Sequence, residues 1–284
     1  MRKALYRKVL WAIPISLYAV DANAWGLFTH LYFSQYWLMA APLLDPKIQQ
    51  AIQKLPKLVL AGACLPDLAV ISKSFSTTHQ WQVSERMIAS AETDEEMAIA
   101  VGYASHLFVD VIAHNHFVPA HEAKWLSKTI VTHIASEWAM DGHIAHAVND
   151  SPNRLIKQHL SELTQFAARH FELHPKLVKA QLTRLAHLDG LLRCSQLAPL
   201  LLWVLKKRDG EFVKNLHYYL NKTEHALSHF THALHGTRPN WQPELQHLNA
   251  AELAEWRAQC LGELRLRMLI PVDYYHVAQK AELH

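Results

Sequence analysis

Two apolar stretches of this chain each carry a histidine and a carboxylate four residues apart: His106-Leu-Phe-Val-Asp110 and His133-Ile-Ala-Ser-Glu137. Residues at i and i+4 of an α-helix share a face, one turn apart. Each stretch therefore reads as a helix that carries an ionisable pair into otherwise apolar surroundings. Buried charges need partners, so the fold has to bring further polar groups to both pairs. One such pair alone reads as a surface ion pair. Two of them on apolar helices point to a shared cation.

The rest of the sequence agrees with a helical scaffold. Glycine is scarce, at 8 of 284 residues, which argues against a meandering β protein. Helical patterns cover 27–42, 46–63 (as one or two helices), Thr93 to about His114, and Pro119 to about Val148. Further patterns cover 154–171, 175–207, 211–235 and 250–269. Thr93-Asp-Glu-Glu96 has the form of a capped helix start, and Ser72 to Thr78 reads as a loop. The expected fold class is all-α. A composition boundary near Asn149-Asp150-Ser151-Pro152 separates two halves, read here as parts of one domain over 25–284.

The first 24 residues have the pattern of a secretory signal peptide. Arg2, Lys3, Arg7 and Lys8 precede an apolar stretch from Val9 to Val20, followed by the small-x-small site Ala22-Asn23-Ala24. A membrane anchor is the alternative, but the apolar run is short for a spanning helix and contains Pro14. Cleavage after Ala24 predicts an exported protein, periplasmic or secreted. Of 28 basic and 25 acidic residues, four and one fall in this segment, so the remainder is balanced. A general nucleic-acid-binding surface loses its simplest support. The three cysteines, Cys64, Cys194 and Cys260, contain no Cys-x-x-Cys. A thiolate metal site is not expected. In an oxidising compartment Cys194–Cys260 is the favoured pair, with Cys64 a small buried hydrophobe.

Histidine is the compositional anomaly, with 21 residues. Neutral imidazole and carboxylate are the ligands zinc takes when thiolates are absent. Beyond the two helical pairs, Asp67 lies in a Pro-containing turn and could equally be a helix cap. His79 ends the Ser/Thr loop. His116 follows Asp110 by six residues, at the expected end of the same helix. His114 reads as a ligand, a partner to a ligand or a bystander. A second series, His225, His229, His232 and His235, shares one helical face and reads as solvated, with a second metal site as the alternative.

Trp25-Gly26-x-x-Thr29-His30, Gly62-Ala-Cys-Leu-Pro66-Asp67, His79, His106-x-x-x-Asp110-x-x-x-x-x-His116 and His133-x-x-x-Glu137 together resemble the zinc-dependent phospholipase C family. The related single-strand-specific zinc nucleases share the pattern. The resemblance covers about residues 25–145. It implies a mostly helical fold holding three zinc ions. Asp67, His79, His106 and Asp110 would bind the first, and His116, His133 and Glu137 the second. The α-amino nitrogen and carbonyl oxygen of Trp25 would bind the third, with His30 and Asp110. Asp67 would also be the general base. At His114 many family members carry proline.

Substrate is less determined. Glu137 resembles the phospholipases, whereas the five-residue step from Trp25 to His30 resembles the nucleases. Leu68 stands where choline-selective members have an aromatic residue. The expected substrate is a phospholipid, met at a membrane surface. The alternatives are a single-stranded nucleic acid or a zinc-binding protein without turnover, and no protein partner is indicated. Phe75 and Trp81, flanking His79, are the candidate substrate-binding aromatics; Trp125 and Trp138 also lie near the ligands. Lys206-Lys207-Arg208 could touch an anionic head group or be a solvated helix end.

Overall fold

The computed structural model describes residues 26–41, 44–125, 129–244, 248–267 and 270–275. Among them there are helices and turns and no strand, as the periodicity predicts. The N-terminal segment and Trp25 lie outside the described residues.

The first elements are α1 (Leu27–Ala40), α2 (Pro46–Lys54), α3 (Pro56–Gly62), the short α4 (Leu68–Ile71) and α5 (Trp81–Ala89). Local chemistry sets several helix starts. Pro46 opens α2 while the Asp45 side chain accepts from Lys47 N at 2.9 Å. Next comes α6 (Asp94–Ile112), the central helix. Thr93 caps it, accepting from Glu96 N at 3.2 Å, and the Glu96 carboxylate reaches back to Glu92 N.

Every residue of α6 from Met97 to Ile112 is buried. Helices α1, α2, α3 and α5 pack around it, and its sequence is accordingly apolar on all faces. A span from Asp94 to Trp125 is long and apolar enough to cross a membrane, but its most apolar window is wholly buried inside this protein. The tightest crossing is with α3. A Cβ on Gly102 would lie 1.9 Å from the Val59 carbonyl oxygen, and one on Gly62 2.5 Å from that of Ile99. Glycine at both crossings lets the two backbones touch.

The expected helix end near His114 is not there. The chain continues through a π-turn (Ala113–Phe117) directly into α7 (Val118–Trp125), and α8 (Thr129–Ile144) follows. The second half contributes α9 (Pro152–Gln158), α10 (Leu160–His170), α11 (Pro175–Ser195), α12 (Leu197–Arg208), α13 (Phe212–Leu227), α14 (Phe230–Leu234) and α15 (Ala250–Leu266). The single pattern over 175–207 is two helices bent by 52°. Between them Gln196 takes φ +57°, a left-handed conformation that ends the first helix. Gly142 of α8 lies against the Ala198 backbone of α12, where a Cβ would meet it at 2.8 Å. One hydrophobic cluster runs from Leu27 to Tyr274 and includes both halves of the sequence.

Candidate metal centre

Six segments deliver side chains to one buried volume. From α6 come His106 and Asp110, and from the π-turn His114, at four-residue steps. From α8 come His133 and Glu137, and from α1 comes His30. The α3–α4 turn supplies Asp67, and the loop before α5 supplies His79. Asp110 is the hub. Its carboxylate lies 3.0 Å from His106 Nε2, 3.4 Å from His30 Nε2, 3.4 Å from His79 Nε2 and 3.5 Å from His114 Nε2. The His30 and His106 rings stack with centroids 3.5 Å apart. On α8, His133 Nε2 lies 2.8 Å from Glu137 Oε1.

Surrounding hydrogen bonds fix how these rings face. His106 Nδ1 lies 2.8 Å from the Ala63 carbonyl and donates to it, leaving Nε2 with its lone pair toward Asp110. The glycine-mediated α3–α6 contact makes that bond possible. Thr78 Oγ1 donates to the Pro66 carbonyl at 2.7 Å, and Tyr103 Oη donates to the Thr78 carbonyl. The Asp67 turn, the His79 loop and α6 are thereby tied together.

The donor set fits metal ions. Asp67 Oδ1, His79 Nε2, His106 Nε2, His114 Nε2, His133 Nε2 and Glu137 Oε1 are buried without a hydrogen bond. Several of these atoms are near each other but not aligned as donor and acceptor. Such groups are costly to bury unless a third party satisfies them. Three sets have ligand atoms within 4.8 Å of one another: His30–His106–Asp110, Asp67–His79–His106, and His114–His133–Glu137.

The electrostatics reflect this crowding of groups. Burial and the neighbouring imidazoles hold His30 well below its ordinary pKa, and burial takes His79 down to about 3. Burial opposes protonation of His106 and His114, but the facing carboxylates outweigh it and raise both. Burial lifts Asp67 to about 7 and Glu137 well above its usual range. Asp110 goes well below its ordinary value, because its histidine neighbours overcome the effect of burial.

His116, expected from the resemblance as a ligand beside His133 and Glu137, is elsewhere. Its ring packs against both Trp241 and Trp256, at centroid distances of 5.3 and 5.4 Å. His114 stands in the third set instead. The reason is helical phase. Four residues beyond Asp110 the chain returns to the same face, whereas six residues beyond it points roughly 240° away at 3.6 residues per turn. Because the chain winds on through the π-turn instead of ending near His114, the longer step has no turn to bring it back. The substrate-binding expectation for Phe75 and Trp81 is also corrected. Both are core residues, Phe75 edge-on to Phe171, and Trp81 edge-on to Phe108 with its Nε1 donating to the Trp241 carbonyl at 2.7 Å. Cys194 and Cys260 are free thiols rather than a pair, Cys194 exposed and Cys260 buried. The four histidines from His225 to His235 are exposed and in none of the three sets. Trp25 lies outside the described residues.

A cavity of about 270 Å³ opens beside the centre. Asp67 and Glu137 line one end. Val70, Ile71, Ile134, Trp138, Leu188 and Leu192 give it apolar walls, and it reaches Gln196 and Pro199 at the α11–α12 bend.

The family model for zinc dependent phospholipase C matches residues 29–183. This chain belongs to the zinc-dependent phospholipase C family. No curated protein and no solved structure matches it. The matched residues include every described member of the three candidate sets, so the zinc-dependent phospholipase C match and the ligand geometry coincide in the chain. The match ends inside α11. The outer cavity wall from Leu188 onward, and all of α12, lie beyond it.

Three residues at this phospholipase C-family centre were not singled out from sequence. Asp141 continues the ladder His133–Glu137–Asp141 at four-residue steps, which is the signal that would have found it. It accepts from Thr29 N at 3.0 Å and Thr29 Oγ1 at 2.7 Å, capping α1 just before His30. Glu244 Oε1 lies 3.5 Å from His79 Nδ1 and comes from a segment with no recognisable pattern. Arg193 lines the cavity, pairs with the buried Asp189 and places its guanidinium 4.4 Å from the Phe28 ring centre.

Proposed function

We propose that this chain is an exported zinc-dependent phosphodiester hydrolase, a phospholipase C that cleaves the head group from phospholipids through a trinuclear zinc centre. The observation that carries the substrate class is the cavity. It joins two carboxylates of the centre, Asp67 and Glu137, to walls that are mostly aliphatic. A phosphate at the centre with a hydrocarbon chain along those walls matches both ends. A nucleic acid would ask for exposed aromatic stacking surfaces and a basic groove, and the aromatics flanking His79 are instead in the core.

In this reading Asp67, His79, His106 and Asp110 hold one ion, His30 and Asp110 hold a second with Trp25, and His114, His133 and Glu137 hold a third. His114 takes the place beside His133 and Glu137 that the resemblance gives to His116. Zinc in such a centre lowers the pKa of water and neutralises phosphate oxygens. Asp67 accepts the proton of the attacking water as its oxygen bonds to phosphorus. The bond from phosphorus to the glycerol oxygen breaks, and that oxygen takes up a proton to give diacylglycerol. The Thr78 and Tyr103 hydrogen bonds hold the Asp67 turn in place.

The test is turnover by the protein beginning at Trp25 on phospholipid vesicles, on a soluble chromogenic phosphodiester and on single-stranded DNA. Diacylglycerol release that is lost on chelation and restored by zinc is the expected result. Asp67→Asn should reduce it at least ~100-fold, the range of general-base catalysis, while keeping most of the zinc. DNA cleavage without lipid cleavage would give the site to a nuclease, and zinc binding without turnover on any substrate would make it a binding protein.

A further inference from the structure

The outer face of α12 presents what a protein normally buries. Leu200, Trp203 and Val204 are 39, 59 and 41% exposed. With Lys207 they fall at i, i+3, i+4 and i+7, so they form one stripe. Lys206, Lys207 and Arg208 finish the helix, all exposed. The carboxylate that follows them, Asp209, is taken by Lys124 and does not neutralise the cluster. On α11, across the bend, Leu191 is also exposed. The same bend contributes two exposed residues, Gln196 and Pro199, to the cavity lining.

We infer that α12 is a docking helix for an anionic lipid surface. Leu200, Trp203 and Val204 enter the interface, Lys206, Lys207 and Arg208 meet the lipid phosphates, and the adjoining cavity is held beside the membrane. The combination of a tryptophan, aliphatic neighbours and adjacent lysines suits the boundary between head groups and acyl chains. The charge complementarity selects an anionic surface. The start of α12 also lines the cavity, through Leu197, Ala198 and Pro199, so the docked face adjoins the volume that leads to Asp67 and Glu137. This inference rests on the phospholipase reading for its purpose, but binding is measured separately from turnover.

The experiment uses the zinc-loaded protein with vesicles of phosphatidylcholine alone or with about one third phosphatidylglycerol. Partitioning is followed by co-flotation, and turnover is measured on the same vesicles and on a soluble phosphodiester. Wild-type protein should partition preferentially onto the anionic vesicles. Trp203→Glu and Leu200→Glu should each lower that partitioning at least ~10-fold, the effect of a charge placed in an interface. The double variant Lys206→Ala/Lys207→Ala should remove most of the preference for anionic vesicles, since each basic residue near such a surface contributes about fivefold (about 1 kcal/mol). All should keep activity on the soluble substrate, because none touches the centre. Three results would overturn the inference: variants that partition as wild type does, a proportional loss of soluble activity, or a dimer in solution that Trp203→Glu dissociates. Vesicle binding with no turnover on any substrate would instead reject the phospholipase reading and leave the docking helix standing.

Discussion

The Asp110 carboxylate has four imidazoles within 3.5 Å, and both its oxygens are buried without a hydrogen bond. The repeat His106–Asp110–His114 is a ladder of four-residue steps, as is His133–Glu137–Asp141 on the facing helix. The first two rungs of each are plain in the sequence, because helical spacing fixes which side chains share a face. The choice between His114 and His116 is not. It depends on whether the chain stops winding near His114 or runs on through the π-turn, and tertiary packing decides that, with Trp256 Nε1 donating to the Asn115 carbonyl at 2.6 Å. The expected outcome is that His114→Ala loses about one zinc equivalent by elemental analysis and most activity. His116→Ala should keep all its zinc. The opposite pattern would return the role to His116.

At the scale of elements, the centre depends on how closely α3 lies against α6. That contact lets His106 reach the Ala63 carbonyl and sets Asp67 over the same site. Gly102→Ala would press a methyl group into the Val59 carbonyl. It should cost at least ~2 kcal/mol from overpacking, read as a lower thermal midpoint, together with weakened metal retention. An unchanged midpoint would mean the two helices are free to separate. Helix starts were legible where the chemistry is local, as at Asp45-Pro46 and Thr93 to Glu96. The break at Gln196 was not. A non-glycine residue in a left-handed conformation carries no local signature, and residues of that bend line the cavity. The cavity itself is assembled from α1, α4, α8, α11 and α12, a meeting of elements that no spacing rule records.

Across the whole molecule, histidines serve structure as well as ligation. His121 is buried, its Nδ1 donating to the Phe117 carbonyl at 2.8 Å, among Phe117, Trp125, Phe212 and Tyr219. Burial lowers its pKa to about 4. Below the unfolded value near 6.5, the unfolded chain takes up a proton that the folded protein refuses. Its contribution is therefore complete above pH 6.5 and falls by about 3 kcal/mol as the pH drops to 4. His121→Leu should lose this dependence, and its acid unfolding midpoint by circular dichroism should move to lower pH. A midpoint that stays or rises would show that His121 does not set the acid limit. The all-α architecture was legible from periodicity and scarce glycine. The burial of Phe75 and Trp81 was not, since an aromatic beside a ligand in sequence looks the same whether it faces a substrate or the core.

The converging histidines and carboxylates call for a cluster of zinc ions. Elemental analysis of the protein beginning at Trp25, purified without chelator or affinity tag, tests it most directly. About three zinc ions per chain is the predicted result. None or one would contradict the account and leave the converging histidines and carboxylates without the partner that their burial requires.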